Sequence, residues 1–153
     1  MATTAVEKKV IKSLYLLRQL KCAGIAHSDL VRFYCSVIRS ILEYACQVFH
    51  CNLPLYLSEE IERIQRRALR VIFPDCSYSE GLAKAGLTAL YDRRSTLCKE
   101  LFSVIDTQGN HKLSHLLPVR SQQDYILRSN RALAEPVCKT NRFRESFIIS
   151  YCV

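Results

Sequence analysis

The sequence predicts an all-α fold, and three features of the chain indicate it. Glycine and proline number only four each among 153 residues, and nearly all of them separate segments of regular apolar spacing. Within those segments, apolar side chains recur every three or four residues, which is the spacing of one helix face. Two segments also begin with a hydroxyl residue followed by glutamate at capping-box spacing. We therefore expect about four long amphipathic helices, short helical turns and an irregular basic C-terminal tail.

The first predicted helix runs from about Thr4 to Cys22 and stops at Gly24. Thr4 and Glu7 have the spacing at which both side chains can satisfy free backbone N–H groups. A second helix starts at residue 28 or 29 and carries apolar residues over about half of its surface. This wide face predicts the central helix of the core. Its apolar residues are Leu30, Phe33, Tyr34, Val37, Ile38, Ile41, Leu42, Ala45, Val48 and Phe49.

A third helix is predicted from about Ser58 to Ile72, because Pro74 disfavours a helical conformation just before it. Its inner face is expected to be apolar and its opposite face strongly basic. The inner residues are Leu57, Ile61, Ile64, Ala68 and Ile72, and the outer ones are Arg63, Arg66, Arg67 and Arg70.

A short helix is expected between Ser77, which is followed three residues later by glutamate, and Gly86. The fourth long helix is expected from Thr88, which can cap it, to about Ile105. Arg94 falls in the middle of the apolar face of this helix. A charge there must be paired, reach solvent along its own stem or meet a ligand.

Regular apolar spacing fades after Pro118. We therefore expect a helical domain at 1–118 and an extended or partly disordered basic tail at 119–153. The most apolar run, 31–49, is interrupted by charged residues, so no membrane span is predicted.

Charge and cysteine content suggest a partner and a compartment. The net charge is +8, with 22 Lys and Arg against 14 Asp and Glu, which favours a polyanionic partner but also fits an ordinary basic protein. Eight cysteines invite a disulfide interpretation, but residues 1–10 lack the apolar core of a signal peptide. We expect thiols in a reducing compartment, and thus an intracellular chain in nucleus or cytoplasm that is not secreted.

The sequence contains no catalytic constellation. Phosphate-binding loops, nucleophile elbows and HExxH helices are absent, and no two of the five aspartates are adjacent. Cys46, His50 and Cys51, and separately His111 and His115, have spacings that could supply metal ligands. Without paired CxxC units, ordinary thiols and surface histidines are the favoured interpretation. We expect no catalytic residue, no bound metal and no cofactor, and hence no enzyme activity of the isolated chain.

The basic face of the third helix is the main candidate for nucleic-acid binding. Arg63, Arg66, Arg67 and Arg70 are spaced i, i+3, i+4, i+7, so they align along one stripe where each can bind phosphate oxygens. A solvated face explains two of them as well, since a glutamate lies four residues before Arg63 and before Arg66. From spacing alone, binding and a solvated face remain equally open.

The tail supplies a second basic set. Its cations alternate with Phe143 and Phe147, a mixture that suits stacking on single strands. A basic terminus that binds nothing specific explains the pattern at least as well. The candidate binding residues of the tail are Lys139, Arg142 and Arg144.

Several segments carry a family resemblance. They are LYLLRQLK (14–21) with AG (23–24), FY (33–34) with VIRS (37–40), LEYAC (42–46), SEEIERIQRRALR (58–70) with IFP (72–74), Leu87, Leu90, Tyr91 and Arg93-Arg94, and CKTNRF (138–143) with SFI (146–148). In order and spacing they resemble the region after the polymerase palm in reverse transcriptases of non-LTR (LINE-type, jockey-like) retrotransposons. The likeness extends from about residue 13 over nearly the whole chain.

The resemblance implies a thumb and post-thumb fragment of an RNA-directed DNA polymerase. In the family, the fingers and the palm with its catalytic aspartates and magnesium lie upstream, and this sequence contains no counterpart of them. The thumb grips the template–primer, so the resemblance favours RNA or an RNA–DNA hybrid as the partner of the arginines. The alternative is a helical protein–protein interaction module that uses exposed apolar surface, or a non-functional remnant.

Overall fold

The computed structural model describes residues 2–108, 110–118 and 137–152, with only the backbone described for 2–7. These residues contain helices, turns and irregular segments but no β-strand, so the prediction of an all-α fold is confirmed. The helices are α1 (Ala2–Cys22), α2 (His27–Phe33), α3 (Ser40–Glu43), α4 (Cys46–Phe49), α5 (Leu55–Ile72), α6 (Tyr78–Ala85), α7 (Leu90–Thr107), α8 (Asn141–Arg144) and α9 (Phe147–Cys152). A π-helical segment (Tyr34–Arg39) joins α2 to α3, and 3₁₀ turns lie at His50–Asn52 and Ser114–Leu116.

The described chain forms two compact units. The first comprises the residues up to 44 together with 54–93, and the second comprises 45–53 together with the described residues from 94 onward. Residues 94–118, which the sequence assigned to one helical domain with the preceding segments, therefore belong to the second unit. The expectation of an extended tail at 119–136 lies outside the described residues.

The core of the first unit is built from the apolar faces of its helices. Leu17 of α1, Leu30 of α2 and Ile72 of α5 have no exposed surface, and each such burial contributes roughly 1.5–3 kcal/mol. Because α1 packs against α5 through these faces, the basic face of α5 is directed away from the core. The buried cluster consists of Val10, Leu17, Leu30, Tyr34, Ile38, Leu42, Ala68, Ile72 and Leu90.

The short helix α6 forms as its local sequence predicts. The Ser77 hydroxyl accepts a hydrogen bond from the Glu80 backbone, and the Glu80 carboxylate accepts one from the Ser77 backbone at 2.8 Å. Gly86 ends the helix with φ of +64°, a conformation that glycine adopts without strain. Both signals act within a few residues, which is why the sequence alone located them.

Two other predicted caps are wrong. The backbone is already helical at Ala2, so Thr4 lies inside α1 rather than at its start. At α7 the helix begins at Leu90, whose backbone N–H donates to the Glu62 carboxylate at 3.0 Å. A carboxylate from α5 therefore takes the role expected of Thr88, and it complements the positive end of the α7 dipole.

The prediction of one continuous helix from 28 to 49 is also wrong. The chain turns at Ala45, a non-glycine residue with φ of +53°, and α4 starts after it. The predicted face continues through the π-helical segment to Leu42, which is buried with Tyr34 and Ile38, and it is lost only beyond the turn at Ala45. Val48, expected in the core, is 79% exposed as a result.

The end of the chain differs from the expected extended tail. Residues 141–152 contain α8, which Thr140 caps, and α9, whose Ile149 is buried. The rings of Phe147 and Tyr151 pack against each other and against Phe102 of α7, with centroids 5.6–6.4 Å apart. These contacts join positions that are far apart in the sequence, so no local pattern predicts them. A helix of six residues is also too short to show the regular apolar spacing that identifies a longer helix.

Candidate nucleic-acid interface

The four arginines of α5 are all exposed, as the spacing predicted, but their surroundings differ. Arg63 forms a salt bridge with Glu60, one turn earlier, and both side chains are largely solvated. Such an exposed pair contributes little to stability, so Arg63 remains available to a competing anion. The guanidinium of Arg66 lies over the ring of Tyr78, 5.0 Å from its centroid, in cation–π geometry.

The predicted pairing of Arg66 with the glutamate four residues earlier does not form. The Glu62 carboxylate instead accepts hydrogen bonds from the Tyr78 hydroxyl and from the backbone of Leu90. Burial and the neighbouring Glu62 raise the pKa of Tyr78 above its ordinary range, so this phenol stays protonated and donates. Glu62 therefore joins α5 to α6 and to the start of α7, and it forms no ion pair with Arg66.

Arg67 and Arg70 line an open groove between α1 and α5, with a volume of about 640 Å³. A third arginine, Arg18 of α1, lines the same groove. Helical spacing relates residues of one helix only, so the sequence does not predict Arg18, which joins Arg67 and Arg70 in the groove lining because α1 packs on α5. The other lining residues are Ile11, Leu14, Tyr15 and Val71.

Three positively charged side chains line this groove. Arg18, Arg67 and Arg70 are exposed, and among the described side chains none of the three takes part in a salt bridge. No carboxylate is present among the described residues that line the groove. Since three like charges near one surface repel each other, an anion bound among them would be stabilised.

The candidate residues of the tail belong to the second unit. Lys139, Arg142 and Arg144 are exposed on and beside α8, as phosphate contacts require. Of the two interleaved phenylalanines, Phe143 is 48% exposed, whereas Phe147 packs in the aromatic cluster of α7 and α9. Of these two rings, the ring of Phe143 is therefore the one exposed enough to stack on a base.

Arg94 has no exposed surface, so it does not reach solvent along its own stem. It lies in the second unit with His50, whose pKa is lowered first by burial and then by the positive charge of Arg94. His50 is consequently neutral at physiological pH. Arg94 thus belongs to the interior of the second unit rather than to an exposed binding surface.

The cysteines and histidines of the described residues do not form a group of three or more potential metal ligands. Cys46 and His50, which share a predicted helix face, are both buried in the second unit. Burial, followed by the nearby thiols of Cys46 and Cys51, raises the pKa of Cys98 to about 12. The Cys98 thiol is therefore protonated at neutral pH.

No helix among the described residues combines the length and the apolar character needed to cross a bilayer. Comparison with protein-family models, curated proteins and solved structures found no match to the chain. The assignment of a function therefore rests on the sequence segments that resemble non-LTR reverse transcriptases and on the groove lined by Arg18, Arg67 and Arg70.

Proposed function

We propose that the chain is a remnant of the reverse transcriptase of a non-LTR mobile element and binds RNA or an RNA–DNA hybrid through phosphate contacts. It carries no catalytic residue and no cofactor, because the aspartates and magnesium of the parent polymerase belong to its palm. Its place of action is inside the cell, in the nucleus or the cytoplasm.

The observation that carries this proposal is the groove that Arg18, Arg67 and Arg70 line, with no carboxylate among its described lining residues. Two helices supply these charges, so the positive surface is wider than the single stripe that the sequence predicts. Arginine binds phosphate oxygens through two parallel N–H groups, which suits a sugar–phosphate backbone. The remaining candidates, including Arg66 over Tyr78 and the three cations at α8, add exposed charge.

The test is fluorescence anisotropy with a labelled RNA–DNA hybrid over a series of salt concentrations. We predict that Arg67→Glu combined with Arg70→Glu weakens binding about tenfold at low salt and makes the slope of log K against log salt shallower by about two, one unit for each lost phosphate contact. The variant should remain folded by circular dichroism, because both side chains are exposed.

The matched control is Lys99→Glu with Lys112→Glu, which changes the net charge equally at two exposed positions outside the groove. If both double variants weaken binding to the same degree, net charge rather than the groove determines affinity. If the unmodified chain binds neither this hybrid nor single-stranded RNA or DNA even at low salt, the proposed function is wrong.

A helical protein–protein interaction module is the second candidate function. Three large side chains of the first unit support it, since Tyr44, Leu55 and Tyr56 are 65–81% exposed. If these side chains lie in one contiguous patch, that patch is suited to a protein partner. Self-association or partner binding that high salt strengthens would favour this candidate, whereas binding that salt weakens favours nucleic acid.

A further inference from the structure

The arginine groove, lined by Ile11, Leu14, Tyr15, Arg18, Arg67, Arg70 and Val71, also has an aromatic wall. Tyr15 and Ile11 are each 62% exposed, although both line the groove beside α5. Phosphate contacts alone do not require an exposed ring and an aliphatic side chain among the cations. This part of the groove is suited to a ligand with both an anionic and a flat apolar part.

We propose that this groove binds an unpaired nucleotide of single-stranded RNA or DNA, with its base stacked on Tyr15 and its phosphates held by Arg18, Arg67 and Arg70. The inference rests on the proposed function, because it names the form of nucleic acid that the same groove takes. Every base has a π-face and every nucleotide a phosphate, so the site reads no sequence.

The arrangement of the side chains carries the proposal. Tyr15 and Arg18 are one turn apart on α1 and lie on the same side of that helix, as do Arg67 and Arg70 on α5. The ring thus has a cation beside it on its own helix and two more cations on the facing helix. A base on the ring would have positive charge on both sides for the phosphates that flank it.

A duplex fits this groove less well than a single strand does. Paired bases stack on one another and present only their edges, so they cannot cover an exposed tyrosine ring. The groove is open, and its volume of about 640 Å³ leaves room for more than a bare phosphate. An unpaired nucleotide uses the ring, the aliphatic wall and the arginines together.

The experiment compares the full chain with Tyr15→Leu and Tyr15→Phe, using single-stranded RNA, single-stranded DNA and a blunt RNA–DNA hybrid of matched sequence. We expect Tyr15→Leu to weaken single-strand binding about tenfold, the effect of one lost stacked base, and to leave hybrid binding unchanged. Tyr15→Phe should keep the affinity, because its ring stacks without the hydroxyl. Whichever single strand binds more tightly identifies the ligand of the groove.

Tyr56→Leu is the matched control, because Tyr56 is 65% exposed on α5 and does not line the groove. The inference is overturned if Tyr15→Leu leaves single-strand affinity unchanged, or lowers it no more than Tyr56→Leu does. In that case, binding of the hybrid would still support the proposed function. Equal losses for single strands and hybrid also overturn it, since they indicate a general loss of the surface. Absence of binding to all three probes overturns the inference and the proposed function together.

Discussion

Gln65 is a fully buried polar side chain on α5, and it links three parts of the first unit. Its carbonyl oxygen accepts a hydrogen bond of 2.6 Å from the Tyr34 hydroxyl, and its amide nitrogen donates to the Tyr78 hydroxyl and the Thr88 carbonyl, each at 3.0 Å. Burial raises the pKa of Tyr34 well above its ordinary range, so its hydroxyl stays a donor. A satisfied buried network of this kind favours one packing arrangement over others.

Replacement of this glutamine by a residue of similar shape tests the network. We predict that Gln65→Met lowers the free energy of unfolding by about 3 kcal/mol, because buried groups on Tyr34 and Thr88 lose their partner. Chemical denaturation followed by circular dichroism measures the loss. The same change at exposed Gln19 should have an effect within about 0.5 kcal/mol. Equal stability of the two variants would mean that the network does not contribute to folding.

At the scale of elements, α5 connects stability to the proposed function. Ala68, Leu69 and Ile72 are buried on one side of this helix, while Arg66 and Arg70 are exposed on the other. The buried face fixes α5 against α1, and that contact creates the groove. Mutations of these buried residues are therefore expected to weaken binding indirectly, because they disturb the packing of α5 on α1. Substitutions at exposed positions test the groove itself.

The turn between α3 and α4 stores local strain. Ala45 has φ of +53°, where the Cβ atom of an L-residue crowds its own backbone at a cost of roughly 1–2 kcal/mol. The side chain of Ala45 is exposed, so its removal sacrifices no buried contact. Glycine adopts this conformation freely.

We predict that Ala45→Gly stabilises the protein by about 1 kcal/mol, because relief of strain exceeds the added entropy of the unfolded chain. Thermal or chemical unfolding gives the measurement. Ala83→Gly is the matched control: Ala83 is exposed in the middle of α6, and the same change there should destabilise by about 0.5–1 kcal/mol. Two changes of the same sign would contradict the left-handed turn at Ala45.

At the scale of the whole molecule, what the sequence predicts depends on the distance over which each interaction acts. The start and end of α6 were predictable, because Ser77 and Gly86 act within one helical turn. The turn at Ala45 was not, since neither glycine nor proline marks it. Gln65 and Arg18 were missed for a related reason: their partners are on other helices, and only packing brings them together.

The eight cysteines report on the packing of both units. None of them, all within the described part of the chain, forms a disulfide, which accords with the thiols that the sequence predicts. Their environments nevertheless differ widely. Cys22, at the end of α1 in the first unit, is exposed, whereas Cys46 and Cys98 of the second unit have no exposed surface.

We predict that N-ethylmaleimide modifies Cys22 of the native chain at least about a hundredfold faster than Cys98 at neutral pH. The thiolate is the reactive form, each pKa unit changes its population tenfold, and burial raises the pKa of Cys98 to about 12 while also excluding the reagent. Peptide mass spectrometry over a time course gives both rates. In guanidinium chloride the two rates should converge, because unfolding removes the burial that separates them. A native Cys98 as reactive as Cys22 would show that α7 does not pack in the second unit as described.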